Sequence, residues 1–450
     1  MTSDGARDDE HGSGTTPSDR PLPAPRNEVR GAAGVASEAV DIVSRPVEGT
    51  HRAISDTVFS ALGKVGLGPA SKPVQVLHDG ITGGVYAAVR GIGHVAGTGV
   101  GVAAEIYRAG SGRTEWTPIT SRPAGAVITG AVNGIVGDHM VALQNDLAVP
   151  MTLHTSTVDA EGEPRHAELP LGSTEAIRAV VADHPERDLG HVVLFVHGLS
   201  ETEHAWRLAD EQSAGEGYAE RIASSVGAVP LLLRYNTGMR IAHNGAALSV
   251  LLAELTERWP VPIRRLDLVG HSMGGLVLRH ACHAAVVAGE PWVRAVRRMV
   301  YLGSPHRGAP LAHGVDRLAS RLARYANSRT WGEFLDRRSA GIRDLVAGVA
   351  DTDVPLLAHS THHGVAACLT ASEHHPLAPI LGDLFVPVDS ARGAIADVET
   401  LPSSHHFHLL NDPRVHDHLL RWLAPDADTD PVIAIEPATR LDTPDDGAAG

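Results

Sequence analysis

The segment GHSMGG, Gly270 to Gly275, lies between an apolar run of β character, Leu266 to Val269, and a helix-like run, Leu276 to Ala288. A Gly-x-Ser-x-Gly at a strand-to-helix corner is the sequence form of a nucleophile elbow. There a strained serine backbone pushes its hydroxyl out above a sheet. Gly270 and Gly274 follow from that geometry, because a side chain at either would meet the neighbouring strand or helix where the chain doubles back. Ser272 is the candidate nucleophile.

A serine hydroxyl is a weak nucleophile at neutral pH and needs an adjacent base, itself oriented by a carboxylate. On a sheet with such an elbow the partners follow the serine in the order acid, then histidine, on loops at the carboxyl ends of later strands. Two carboxylates qualify, Asp383 ahead of LFVPVDS and Asp389 within it. Asp383 is preferred as the acid, and the alternative role for Asp389 is to cap a helix starting at Ser390. The base falls in the last loop, where His405, His406 and His408 cluster, and His406 is preferred. Acyl transfer also needs donors aimed at a developing oxyanion. The N–H of Met273 is one, and the loop His197-Gly198-Leu199 after HVVLFV supplies the other, Gly198 letting the backbone turn inward and Leu199 donating. With main-chain donors, the side chains of Met273 and Leu199 are free to line an acyl pocket. The histidine pairs His362–His363 and His374–His375 and the last-loop cluster lack the ligand spacing of a strong zinc signature, so no metal or cofactor is expected.

The flanking segments alternate in period. VPMTLHTSTVDAEGEPRHAEL reads as a hairpin at a sheet edge. HVVLFV, VPLLLRYNT, RRLDLVG and VRRMVYLGSP read as strands, separated by helix-like stretches near Gly217 to Ser225 and over AALSVLLAELTERW. VAACLTAS is a further short strand, LGDLFVPVDSARG a strand end with a loop, and the final segment closes on an amphipathic helix. This alternation predicts an α/β fold with a mainly parallel central sheet. A helical lid is expected at about 311–349, between two of the strands.

Upstream, residues 31–149 are rich in Ala, Gly, Val and Ile with apolar spacings of three and four, which predicts amphipathic helices ending with AGAVITGAVNGIVGDHMVALQ. They form either a cap on the following domain or a lipid-surface element, and the basic polar face typical of the latter is missing. Residues 1–30 and 425–450 are polar tails with little to bury. The hydrolytic core is expected over 150–424. A net charge of −15 without a basic block argues against a nucleic-acid partner. With two cysteines a disulfide framework is excluded. The N-terminus lacks a signal-peptide pattern and no run of 18 or more apolar residues is present, so a cytoplasmic address is the expectation, with peripheral membrane contact through residues 31–149 as the alternative to the preferred cap.

The segments HVVLFVHGL, LVGHSMGG, VYLGSPHRGAP, GDLFVPVDS and HHFHLLNDPRV together resemble the α/β-hydrolases of the lipase and esterase type, including bacterial lipases and the GPI-inositol-deacylase-like group, over roughly Val192 to Leu423. In that group the strand after the elbow helix ends in a Gly-Thr-Pro-His-x-Gly-like segment, here with Ser304 in the threonine position. The resemblance implies Asp383 as acid and His406 as base of a Ser-Asp-His triad, in a serine esterase acting on a small-molecule ester or lipid. RYNTGMRIAHNG, with Arg234, Tyr235, Asn236 and Asn244, also resembles a segment of that group. An acyltransferase or amidase shares the same acyl-enzyme. A membrane- or granule-associated protein using the domain as scaffold is the reading from another class.

Overall fold

The computed structural model describes residues 123–158, 164–181, 187–207, 217–309, 339–349, 353–372, 374–375, 382–383 and 385–424, with a few positions between 56 and 83. The expected tails, most of the N-terminal helical region and residues 310–338 of the expected lid lie outside the described residues.

Eight strands form one sheet: β1 (Thr152–Val158), β2 (Pro164–Glu168), β3 (Asp188–Val196), β4 (Ala228–Arg234), β5 (Arg265–His271), β6 (Val296–Leu302), β7 (Thr361–Cys368) and β8 (Asp397–Pro402). Their spatial order is β2-β1-β4-β3-β5-β6-β7-β8. The hairpin β1–β2 is antiparallel and joins β4 antiparallel, whereas every pairing from β4 to β8 is parallel. The helices are α1 (Pro123–Ala142), α2 (Thr174–Val181), α3 (Tyr218–Val226), α4 (Ile241–Arg258), α5 (Met273–Ala288), α6 (Ala340–Ala347), α7 (Val388–Arg392) and α8 (Pro413–Leu423). This is the α/β-hydrolase fold the sequence predicts, with the hairpin at the edge as expected.

Successive side chains of a strand point to opposite faces, and both faces of this sheet are covered. Val192, Leu194 and Val196 of β3 pack with Leu248, Leu252 and Leu255 of α4 and Leu276 of α5. Val193 and Phe195 pack on the other side with Tyr218 and Ile222 of α3 and Leu419 and Leu423 of α8. All five β3 residues from Val192 to Val196 are completely buried. Such burial stabilises by roughly 1.5–3 kcal/mol per large apolar side chain, so an unbroken apolar run is what this position selects.

The structure corrects three readings. Strand β8, over DVETLP, was not expected, because an edge strand pairs on one side only and Asp397 and Glu399 leave it without an apolar alternation. β7 starts at Thr361, ahead of VAACLTAS, and so places His362 and His363 inside the sheet. Helix α7 begins at Val388 behind Pro387, so Asp389 lies inside the first turn and does not cap it. Among the described residues no helix is long and apolar enough to cross a membrane.

Helix α1 takes up the expected stretch AGAVITGAVNGIVGDHMVALQ as far as Ala142, with a kink at Val136, and packs on residues at the carboxyl end of the sheet. A Cβ on Gly134 would overlap Ser200, and one on Gly137 would overlap the Asn236 side chain. Asn133 ties the helix to the chain that leaves it, donating to Leu147 O at 2.9 Å and accepting from Val149 N at 2.9 Å.

The elbow helix α5 is held equally closely by α4. Gly245 of α4 faces His280 and Ala281, and a Cβ there would overlap the His280 Cβ. Gly245→Val is expected to lower stability by about 1–3 kcal/mol through overpacking, read as a lower urea midpoint. An unchanged midpoint would contradict this helix contact.

Candidate active site

The elbow rests on two main-chain contacts. Gly274, in the first turn of α5, is pressed so closely to the carbonyls of Val196 and His197 that a Cβ would overlap them, and a Cβ on Gly270 would lie 2.5 Å from Gly275 N. Between these glycines Ser272 is forced to φ 51° and ψ −122°, a conformation that costs an L-residue of order 1–3 kcal/mol. Its N–H donates to Leu302 O, at the end of β6, at 2.8 Å. The strained residue is thus anchored to the next strand.

Asp383 and His406 meet at the same carboxyl edge of the sheet, after β7 and β8. His406 Nδ1 lies 2.5 Å from Asp383 Oδ2, and the His406 N–H donates to the Asp383 main-chain carbonyl at 3.2 Å. The other carboxylate oxygen, Oδ1, accepts from the N–H groups of Phe385 at 2.9 Å and Val386 at 2.7 Å. Both side chains are buried. Burial alone would lower the His406 pKa, but the Asp383 charge and hydrogen bond, with a contribution from Glu201, outweigh it and raise the pKa. Its neighbours differ. His405 and His408 stack on each other with ring centroids 3.4 Å apart, and burial, with the imidazoles of His408 and His406, pushes His405 down to about 3. Of the two carboxylates weighed, Asp383 is the one that reaches His406.

The His406 ring adjoins both sides of the elbow. Its centroid is 4.7 Å from that of His271, which precedes Ser272, and its Cε1 would sit 3.1 Å from a Cβ on Gly303, which follows Leu302. In the GSPHRG segment beyond Gly303, His306 is structural: its Nδ1 accepts from the buried Arg279 of α5 at 3.1 Å. Burial, reinforced by Arg279, holds His306 at about 3.

The loop His197-Gly198-Leu199 closes over the elbow, and a Cβ on Gly198 would lie 2.9 Å from Ser272 Cβ. Sequence inspection missed what fixes it. Glu201 Oε2 accepts from the Gly198 N–H at 2.6 Å and lies 3.0 Å from His271 Nδ1. His271 Nε2 in turn is 3.4 Å from the His406 carbonyl. Burial would raise the Glu201 pKa, but the His271 ring, its hydrogen bond and the Gly198 N–H together lower it, so the carboxylate is charged. The RYNTG segment after β4 forms the outer bracket. Tyr235 Oη donates to His197 O at 2.8 Å, Thr237 Oγ1 accepts from Ser200 N at 3.1 Å, and Arg234 pairs with Glu203. Asn236 donates to Gly137 O of α1 at 2.9 Å, and Asn244 donates to Asn236 O at 3.0 Å. The amides of Gly198 and Ser200 are therefore committed, and the Leu199 N–H between them has no partner among the described residues. The Met273 side chain is fully buried in the core cluster of α4 and α5, against which Leu199 packs.

A domain family of unknown function, DUF7379, matches residues 175–373. No curated protein matches the chain. Among solved structures, the chain is similar to the mature form of the Bacillus licheniformis lipase BlEst2, at 22% identity and a TM-score of 0.39 over 53% of this chain and 94% of that one. It is also similar to the RedJ thioesterase of the prodiginine biosynthetic pathway in Streptomyces coelicolor, at 19% identity and a TM-score of 0.34 over 52% of this chain and 90% of that one. A lipase-esterase related protein from Clostridium acetobutylicum gives 14% identity and a TM-score of 0.32 over 52% of this chain and 96% of that one.

Proposed function

We propose that the protein is a serine hydrolase of carboxylic esters that works through an acyl-enzyme on Ser272. The observation that carries this reading is the buried Asp383–His406 pair, 2.5 Å apart, beside a serine held at φ 51° on a strand-to-helix corner. A buried carboxylate on Nδ1 leaves Nε2 as the nitrogen that accepts a proton, the tautomer a general base needs. Ser272 Oγ attacks the carbonyl carbon as its proton passes to His406. The imidazolium, stabilised by Asp383, returns that proton to the leaving alcohol, and the same base activates the water that releases the acid. The N–H groups of Met273 and Leu199 receive the oxyanion. In this scheme Glu201 is a positioning residue, because its carboxylate links the Gly198 amide to His271 and so sets the height of the Leu199 N–H above Ser272.

Three outcomes test the scheme. A fluorophosphonate probe should label the wild-type chain and not Ser272→Ala, and turnover of p-nitrophenyl esters of graded chain length should vanish with the label. Persistent labelling of Ser272→Ala would remove the nucleophile assignment, and acyl transfer to an added alcohol in preference to water would redirect the reading to an acyltransferase. Asp383→Asn should reduce kcat by roughly 10⁴-fold while Asp389→Asn leaves it nearly intact.

The second outcome concerns pH. A protonated imidazole cannot accept the serine proton, so kcat/KM should fall as pH drops through the raised pKa of His406, above its ordinary 6.5. In Asp383→Asn burial prevails, and whatever activity remains should persist to lower pH. A profile that does not move between the two proteins would contradict the pairing.

Third, Glu201→Gln should lower kcat by about 10- to 100-fold with KM little changed, the cost of a small misplacement at the reacting centre. Parallel losses in kcat, KM and thermal midpoint would instead mark Glu201 as structural only.

A further inference from the structure

A second group of chemistry-bearing side chains lies behind the loop that carries Gly198 and Leu199. The 3₁₀ turn Glu203–Arg207 swings Glu203 and His204 over the edge hairpin, where β2 presents His166. One donor atom from each of the three lies within 4.8 Å of the others. The His166 side chain is 1% exposed, and neither of its ring nitrogens has a hydrogen-bond partner. Glu220 of α3 borders the same space. Its Oε1 accepts from Ser156 Oγ at 2.6 Å and stands 3.9 Å from His166 Nε2, while its Oε2 is buried without a partner. The hairpin register explains the convergence, since Ser156 and His166 face each other across β1 and β2. Buried polar groups are nearly always bonded, so an idle buried imidazole beside an idle carboxylate oxygen marks a place that lacks an occupant.

The donor chemistry selects a class of occupant. A neutral imidazole offers a lone pair, not a charge. Two imidazoles and two carboxylates match a tetrahedral site of the zinc type. In such a site bonds of about 2.0–2.1 Å put donors about 3.3 Å apart, so the His166 and His204 rings, stacked with centroids 5.0 Å apart, must turn towards a common point to take up a cation. Arg234 also contacts Glu203, its Nε donating to Oε2 at 2.7 Å and its Nη2 pairing with Oε1. A carboxylate oxygen has two lone-pair directions, so the guanidinium orients the carboxylate from outside as outer partners do in metal sites.

We propose that His166, Glu203 and His204, completed by Glu220, bind one zinc-class divalent cation. The cation joins the edge hairpin and α3 to the loop that begins at His197. It takes no part in the chemistry at Ser272, so the site stands or falls independently of the esterase reading.

The test uses the full chain without an added histidine tag, freed of metal by a chelator and titrated with Co²⁺. The expected result is one Co²⁺ per chain with the intense visible bands of four-coordinate cobalt, displaced by Zn²⁺. A Zn²⁺-dependent rise in Tm of at least about 4 °C should accompany it. His166→Gln and His204→Gln should each abolish the bands. Absence of the bands in the wild-type chain, or full bands in both variants, would overturn the proposal. Should circular dichroism show a variant unfolded, the unmutated chain decides by mass spectrometry: saturating Zn²⁺ should protect His204 from diethyl pyrocarbonate, and undiminished modification would overturn the site.

Discussion

The carboxyl edge of this protein depends on how closely α5 approaches the end of β3. With only hydrogen at Gly274, the first turn of α5 lies directly on the Val196 and His197 carbonyls, and the serine between strand and helix has no relaxed conformation available. Strain of order 1–3 kcal/mol survives only where the surroundings over-determine it. Here they do so through strands buried on both faces and a Ser272 N–H bonded into β6. The rigid sheet thus fixes the position of one hydroxyl.

Two histidine–carboxylate pairs then stand around that hydroxyl. Asp383–His406 is built from loops after β7 and β8, and Glu201–His271 joins the loop after β3 to the elbow itself. They touch through the His271 ring and the His406 main chain. They also act on each other at a distance, because the Glu201 charge helps raise the His406 pKa. In a poorly solvated site such charges are weakly screened, so the loop carboxylate contributes to the basicity of a ring it does not bond.

What could be read from the sequence was what is local or periodic. The elbow is a short motif whose glycines and serine explain one another, and the apolar runs of β3 to β6 announce a sheet covered on both faces. Asp383 and His406 followed from chain order and a family likeness, and their contact spans a separation no local pattern encodes. Glu201 and His271 went unnoticed for the same reason, being separated by the whole of β4 and α4. His166 and His204 are equally illegible in the sequence, because they come from different elements that only the fold brings together. DVETLP carries a weak strand signal because it is short and polar, and its one buried residue, Leu401, shares the parity of Asp397 and Glu399. The role of the RYNTG segment lies in its hydrogen bonds to His197, Ser200 and α1, which no local pattern encodes.

Helix α1 touches more than the loop. Near its middle the Gly134 carbonyl accepts from Ser339 Oγ and the Ile135 carbonyl from Ser339 N, while Asp138 accepts from Ala340 N. Ser339 caps α6, the described end of the insertion between β6 and β7. The same short stretch, Gly134 to Asp138, which bends at Val136, therefore touches Ser200, Asn236 and Ser339 at once, so the root of that insertion and the loop above Ser272 share one piece of backbone that belongs to neither.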